Sequence, residues 1–386
     1  MSFKQRFKQL KSDWRNARLR WCKAWLDRAP QAAPAPNPQN LRSVLFLRQD
    51  GKIGDYIVSS FAFREIKKAN PAIQIGVVCS AKNRQLFENN PHIDALHEVQ
   101  PKSTRSYYQV AKSLAGQYDA VIDPTLSLRP RDLLLLRALN AKYYVGLGKA
   151  DYQLFNHNIS NTQQHFADVY AQALHELGFV DINTQPELPS NPASEAAVQD
   201  FLQQNHLQDY IALNFFGAAN SRRFSLEAIR QTLTAFQAAF PAQKFILLTY
   251  PEITPSLAAL CQQQPNATLY ANTQTIHDSI ALIRHAQAVL TPDTAIIHIA
   301  AALNKPIIGL YRQDPQNYAN WHPKSEHAQI IWFNQHIQEI TPAQMIAALR
   351  NIIANLNKKY IIPPNSNHSL PTTVLWLTPP ISVKEH

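Results

Sequence analysis

Leu290–Tyr311 reads LTPDTAIIHIAAALNKPIIGLY. An apolar strand ends near Thr291, an apolar helix follows, and Asn304-Lys305-Pro306 turns the chain into a second apolar strand. A helix between two short apolar strands is a βαβ unit, whose strands lie parallel and buried on both faces. Pro292 has no N–H and is expected to end the strand ladder. Asp293 or Thr294 is expected to cap the helix. The N–H groups of Thr294, Ala295 and Ile296 would then stand free at the positive end of the helix dipole, an anion site. Asp293 is itself negative, so it suits backbone N–H groups or a sugar hydroxyl better than phosphate. His298 comes four residues after Thr294 and shares its face. It reads either as a satisfied core histidine or as a ligand contact.

The same alternation extends in both directions. Upstream, SVLFLR (43–48), IQIGVVCS (73–80), YDAVIDP (118–124) and AKYYVGL (141–147) read as strands, with a turn and a helix at 51–70 and helices at 83–90 and 131–140. QPELPSNP (185–192) reads as a linker, and the pattern restarts with strands at 209–217, 244–250 and 287–291. Helices are expected at 225–240, capped by Ser225, at 276–286 and at 342–359. The fold class is therefore α/β, with two successive Rossmann-like α/β/α units. The expected divisions are 1–28 and 29–42, an N-terminal domain at 43–184, a linker at 185–194, a C-terminal domain at 195–359, and a tail at 360–386. In such sheets ligands sit at the carboxyl ends of the strands, so with two units the site belongs in the cleft between them.

The chain has 386 residues, enough for two ordinary domains. Its net charge of +10 is unevenly placed. Residues 1–28 hold nine Lys or Arg against two acids, which is seven of the ten. Phe3, Phe7, Leu10, Trp14, Ala17, Trp21 and Trp25 recur there at steps of three or four, one face of a helix. Aromatic and basic faces together suit a membrane interface; the plainer reading is a helix packed on the body. Nucleic acid is disfavoured, because the remaining sequence shows no matching basic stripe. RAPQAAPAPNPQN (28–40) reads as a tether. Cys22, Cys79 and Cys261 lie far apart and suggest no disulfide framework, so a reducing, cytoplasmic compartment is expected. No apolar run approaches the roughly 20 residues of a membrane-spanning helix.

Three more strand-to-helix turns carry candidates. RQDGKIGDYIV (48–58) brings Gly51, Gly54 and Asp55 to a helix start. Asp55 is either an N-cap or a general base facing the cleft. The turn is neither a P-loop nor GxGxxG, which disfavours a dinucleotide cofactor. NFFGAANSRRF (214–224) places Arg222 and Arg223 before a helix, a way to grip phosphate oxygens or simply a solvated pair. TYPEIT (249–254) offers Glu252 to ribose hydroxyls or an adenine amine, unless it is a plain surface turn. No metal-ligand pattern appears, so neither metal nor cofactor is expected.

Three blocks in this order resemble the ADP-heptose lipopolysaccharide heptosyltransferases, the inverting glycosyltransferase family 9. They are LRQDGKIGDYIVSSFAFREIKKANPAIQIGVV (47–78), SRRFSLEAI (221–229) and TQTIHDSIALIRHAQAVLTPDTAIIHIAAALNKPIIGLY (273–311). The first is one residue longer between its aspartates than the family pattern, and the family's glycine after Asp-Thr is Ala295 here. The resemblance implies a GT-B architecture, with the acceptor on the N-terminal domain and the sugar nucleotide on the C-terminal one. It implies Asp55 as catalytic base. It also implies a donor site of Arg222, Arg223, Glu252, Asp293, Thr294, Ala295 and His298. Gly54, Arg129 and Arg131 are weaker candidates for the acceptor side.

The expected reaction is metal-independent, inverting heptose transfer from ADP-heptose to Kdo or heptose of a lipid-anchored inner core. It would take place at the cytoplasmic face of the bacterial inner membrane, with residues 1–28 on the lipid. The alternatives are a GT-B transferase using another nucleotide sugar, and a non-catalytic binder of sugar nucleotide or lipopolysaccharide.

Overall fold

The computed structural model describes residues 3–360, so the expected tail from residue 361 onward lies outside the described residues. Helix α1 (Phe3–Leu26) precedes the first sheet, built from β1 (Ser43–Leu47), β2 (Gln74–Cys79), β3 (Ala95–Glu98), β4 (Ala120–Asp123), β5 (Tyr143–Leu147) and β6 (His157–Ile159). Its strand order is β3-β2-β1-β4-β5-β6. The helices between and after these strands are α2 (Ile53–Ser59), α3 (Phe61–Ala69), α4 (Arg84–Phe87), α5 (Thr104–Ser113), α6 (Pro130–Leu139) and α7 (Phe166–Glu176).

The second sheet repeats the plan with β7 (Tyr210–Leu213), β8 (Lys244–Leu247), β9 (Ala267–Leu269), β10 (Ala288–Pro292), β11 (Ile307–Arg312) and β12 (Ala328–Phe333). Its order is β12-β11-β10-β7-β8-β9. Around it lie α8 (Pro192–Gln204), α9 (Leu226–Ala239), α10 (Thr254–Cys261), α11 (Ile276–His285), α12 (Ala295–Ala302), α13 (Pro315–Trp321) and α14 (Pro342–Tyr360). Neighbouring strands pair in parallel in both sheets. Each sheet is thus doubly wound and reverses direction once, between β1 and β4 and between β7 and β10. The crevice at such a reversal is where open α/β sheets take ligands.

The strands are apolar because both faces are covered. Val44, Leu45 and Phe46 have no exposed surface, nor do Val289 and Leu290. Two expectations are corrected. The single helix expected after the turn within 51–70 is broken into α2 and α3 at Ser60, where Ser59 Oγ donates to Asp55 O and Ser60 Oγ to Ile57 O. Serine hydroxyls that bond back to the preceding turn bend a helix there. Pro292 does not end the ladder: it is the last residue of β10, opposite Leu310. The amides of Val289 and Asp293 face β11 and donate to Pro306 O and Leu310 O. The nitrogen of Pro292 therefore faces the β7 side, where pairing has already stopped at Leu290. No donor is lost.

The N-terminal segment is helical, as its period predicts, and the plainer alternative of an aromatic face packed on the body does not hold for its described side chains. Trp14, Ala17, Trp21 and Trp25 are exposed, whereas Cys22 and Leu26 pack on the core beneath α5 and α6. The side chains of Phe3, Phe7 and Leu10 lie outside the described residues. No described helix is long and apolar enough to cross a membrane.

Candidate functional site

On the N-terminal side the site begins with Arg48, the residue after β1. Its side chain is buried, and Nη1 donates to Asp55 O at 3.0 Å, Ser59 Oγ at 3.0 Å and Tyr170 Oη at 2.6 Å. These bonds pin the first turn of α2 against α7. Asp55 is the third residue of α2; the N-cap is Lys52, which offers no side-chain cap. The N-cap reading of Asp55 therefore does not hold. Its carboxylate instead lies 3.4 Å from Lys52 Nζ and 3.9 Å from Arg48 Nη2. Burial pushes its pKa up to about 7, against the pull of Arg48 and helped by the nearby Asp50 charge. A carboxyl poised near neutrality can take up and return a proton. Burial raises Asp50 more than any single neighbour lowers it, but Arg48, the Asp55 hydrogen bond and Lys52 together hold that carboxyl below its usual range.

On the C-terminal side Thr294, not Asp293, caps α12, and its hydroxyl accepts from the Ile296 amide at 3.2 Å. The Ile296 N–H, expected from the sequence to stand free, is therefore taken, and the open donors of that turn reduce to Thr294 and Ala295. Asp293 takes Arg222 Nη1 on Oδ2 at 2.6 Å and on its carbonyl at 3.0 Å, while Asn317 Nδ2 reaches Oδ2 at 2.8 Å. Burial nevertheless leaves the Asp293 carboxyl above its usual range. Gly217 shapes the loop that delivers Arg222: its N–H donates to Arg222 O, and a Cβ there would lie 2.5 Å from Arg222 Cβ. Arg223 Nε donates to Gly217 O at 2.7 Å. The two arginines expected to be loose phosphate grips are thus already oriented by the protein.

The two halves meet where α2 crosses the start of α12. A Cβ on Gly54 would lie 3.3 Å from His298 Cδ2 and 3.6 Å from Ala295 Cα. Gly54, an expected acceptor contact, is therefore the close approach between the halves. A cleft of about 680 Å³ opens beside this contact. Asp55, Arg222, Arg223, Asp293, Thr294, Ala295 and His298 all line it, as does Gly54. Glu252 does not; it is exposed on the turn after β8, and Thr249 and Tyr250 from that turn line the cleft instead. Arg129 and Arg131 are also outside it: Arg129 precedes α6, and Arg131 lies over the Tyr107 ring at 5.1 Å. His298 is buried, and burial lowers its pKa to about 3, so it is a neutral imidazole. Its ring nitrogens have no hydrogen-bond partner among the described residues.

Other cleft residues escaped the sequence reading. Asn214 Nδ2, at the end of β7, donates to Thr291 Oγ1 and reaches Thr294 Oγ1, which ties β7 to the α12 cap. Asn317 and Trp321 come from α13, whose start is signalled by Asp314-Pro315 after β11, an N-cap followed by proline. The rings of Phe216 and Tyr250 meet edge to face at 5.7 Å on the cleft wall. Across the interface Phe166 stacks on Trp321 at 4.2 Å, and Asn320 Nδ2 donates to Thr162 O and Gln164 O. Among the described residues no group of three or more His, Cys, Asp or Glu is placed to hold a metal ion.

Residues 107–345 match the model of a known family, described as glycosyltransferase family 9 (heptosyltransferase). Lipopolysaccharide heptosyltransferase 3 of Escherichia coli is 24% identical over 306 residues, covering 72% of this chain and 86% of its own. Among solved structures, E. coli ADP-heptose lps heptosyltransferase II superposes with a TM-score of 0.63 at 18% identity, over 82% of this chain and 99% of its own. E. coli heptosyltransferase WaaC with ADP gives 0.60 at 17%, over 80% and 99%.

Proposed function

Since the chain belongs to glycosyltransferase family 9 (heptosyltransferase), we propose that it moves heptose from ADP-heptose to a lipopolysaccharide inner-core sugar, with inversion. The observation that carries this reading is the contact at Gly54. It sets a carboxyl with a pKa near 7 across one cleft from a helix N-terminus and an oriented arginine.

In the proposed reaction, Asp55 takes the proton from an acceptor hydroxyl as that oxygen bonds to the anomeric carbon. The bond from that carbon to the diphosphate oxygen breaks on the opposite face, and its electron pair leaves with ADP. The growing phosphate charge is met by the amides of Thr294 and Ala295 and by Arg222. Asp293 fixes the angle of Arg222, and Arg223 adds charge at the loop. Phe216 and Tyr250 offer aromatic surface to the adenine. His298, held neutral, sets the spacing between α2 and α12. Glu252, exposed beside Tyr250, would reach the ribose only from the rim. Arg129 and Arg131 would meet an acidic acceptor outside the cleft. The acceptor is proposed to be lipid-anchored, with residues 1–28 holding the enzyme at the cytoplasmic membrane face.

The test is transfer from ADP-heptose to truncated core lipopolysaccharide, with EDTA, by wild type and Asp55→Ala. Transfer by wild type, lost in the variant while ADP still binds, is the expected result. ADP binding without transfer to any core acceptor would point to another donor sugar. Absence of both would remove the assignment of this cleft to a sugar nucleotide.

A further inference from the structure

The net charge of +10 lies entirely in two segments. Residues 1–28 carry seven of it, as nine Lys or Arg against two acids. Residues 99–117 carry the other three, as Lys102, Arg105 and Lys112 with no acid, and the remaining chain balances to zero. The sequence separates these segments widely, but the fold joins them: α1 and α5 both pack against α6. The body therefore does carry a basic partner to α1, contrary to the sequence reading.

Helix α1 is fixed to the body at its C-terminal end. Asp27 Oδ1 accepts from the Leu154 amide at 2.9 Å, Lys23 Nζ lies 4.2 Å from the Tyr152 ring centre, and Cys22 and Leu26 pack inward. A quarter turn away, Trp14, Arg18, Trp21 and Trp25 share one stripe. The three tryptophans are 65%, 73% and 63% exposed, and Arg18 lies 4.7 Å from the Trp14 ring centre. Beside the end of α1, a groove of about 330 Å³ runs between α5 and α6, with Leu26, Tyr108 and Leu134 in its lining and Lys112 and Arg137 among them. Lys102, just before α5, and Arg105 and Lys112 on it are exposed, and Asp132 on α6 is buried. Asp13, on α1, and Asp151, next to Tyr152 in the chain, are exposed acids.

We propose that the tryptophan stripe of α1 and the α5–α6 groove form one surface that docks on an anionic lipid bilayer. The groove would receive a lipid headgroup phosphate between Lys112 and Arg137. Aromatic side chains exposed beside cations match the layered chemistry of a bilayer interface, apolar below and anionic above. Their contacts with one another and with Arg18 leave the three tryptophans largely in water. This goes beyond the proposed role of residues 1–28, because it assigns half of the surface to the acceptor-side domain. It thereby sets which face of the enzyme meets the membrane.

The test is co-sedimentation of the full chain with phosphatidylethanolamine vesicles containing phosphatidylglycerol at about one part in four. Neutral phosphatidylcholine vesicles serve as the control, and binding does not depend on transferase activity. Wild type should bind the anionic vesicles and lose binding as salt rises from about 0.1 M to about 1 M, where the screening length falls from about 10 Å to about 3 Å. At about 0.1 M salt, Lys112→Glu with Arg137→Glu should weaken binding at least about tenfold, and Trp21→Ser with Trp25→Ser should do the same. ADP affinity, unchanged in both double variants, checks their folding. Wild-type binding by the Lys112/Arg137 variant would overturn the α5–α6 half of the surface. Equal binding to neutral vesicles would overturn the charge argument. Displacement from vesicles by short oligonucleotides would reassign the face to nucleic acid.

Discussion

The first turns of α2 and α12 are the same local object used in opposite ways. Each starts a helix at the carboxyl end of a central strand, and the two touch through Gly54. At α12 a threonine hydroxyl caps the turn, and the neighbouring acid is paired with Arg222 and hydrogen-bonded by Asn317. At α2 no side chain caps the turn, and the acid lies inside it with no close hydrogen-bonded cation. A satisfied helix start with a paired acid presents net attraction to an anion. An uncapped start with a buried, poorly paired acid presents a proton acceptor. The chemistry comes from facing one against the other.

The sharpest way to break this contrast is Asp55→Asn. The amide keeps the shape and removes the base, so kcat should fall about 10²–10⁴-fold while ADP affinity stays unchanged. Stability supplies the control. The folded pKa of Asp55 is about 7, above its unfolded value of about 3.9. Between those values the folded state holds a proton that the unfolded state has released, so stability falls as pH rises through that window. Above pH 7 the cost is complete. Asp55→Asn should therefore melt higher than wild type at pH 8 and at the same temperature near pH 4. A melting temperature lowered at pH 8 would mean that the ionised Asp55 is structural.

The second test acts on the other turn. Arg222→Met leaves the Asp293 carboxylate with Asn317 as its remaining side-chain partner. Losing a charge-assisted hydrogen bond at a mostly buried acid should cost about 2 kcal/mol of stability. Titration should show ADP binding weakened about tenfold or more, from the lost cation and the unmasked anion together. If stability drops and ADP affinity does not, Arg222 serves the fold alone.

How much of this was legible before the structure depends on the range of the forces involved. The βαβ alternation, the two sheets and the cleft placement of Asp55, Asp293 and Thr294 follow from apolar runs and helix-start chemistry, which are local signals. What escaped was set by neighbours distant in sequence. Pro292 stays in its ladder because of where β7 ends. Arg222 faces Asp293 because β7 and β10 are adjacent. The packed side of α1 is set by Cys22 and Leu26 against α5 and α6, a choice its own periodicity could not make. Asn317 had a local signal in Asp314-Pro315, but its target, Asp293, belongs to another strand.

A smaller effect separates Asp55 from its neighbour. The Asp50 charge is among the causes that raise Asp55. In wild type, kcat/KM should climb about tenfold per pH unit below 7 and level off above it, because the base must be ionised. Asp50→Asn removes the neighbouring charge, so that rising limb should move to lower pH with little change in the plateau. A limb that stays in place would mean that burial alone holds Asp55 up, and that the Asp50 charge has no role in setting it.

The smallest effect concerns the contact itself. A methyl group on Gly54 would meet His298 Cδ2 at 3.3 Å and the Ala295 Cα at 3.6 Å, tight against a ring and ordinary against the backbone. The ring can yield by a few tenths of an ångström, so Gly54→Ala should leave the melting temperature nearly unchanged. The spacing between Asp55 and the α12 amides shifts with it, and kcat/KM should fall about three- to tenfold, since small displacements of reacting groups are costly. Pairing the change with His298→Ala makes the argument decisive. If the methyl acts through the imidazole, the double variant should lose less than the two single losses combined, a coupling of about 0.5–1 kcal/mol. Additive losses would place the strain on the Ala295 backbone instead, and would make the helix start, not the histidine, the element that sets the gap.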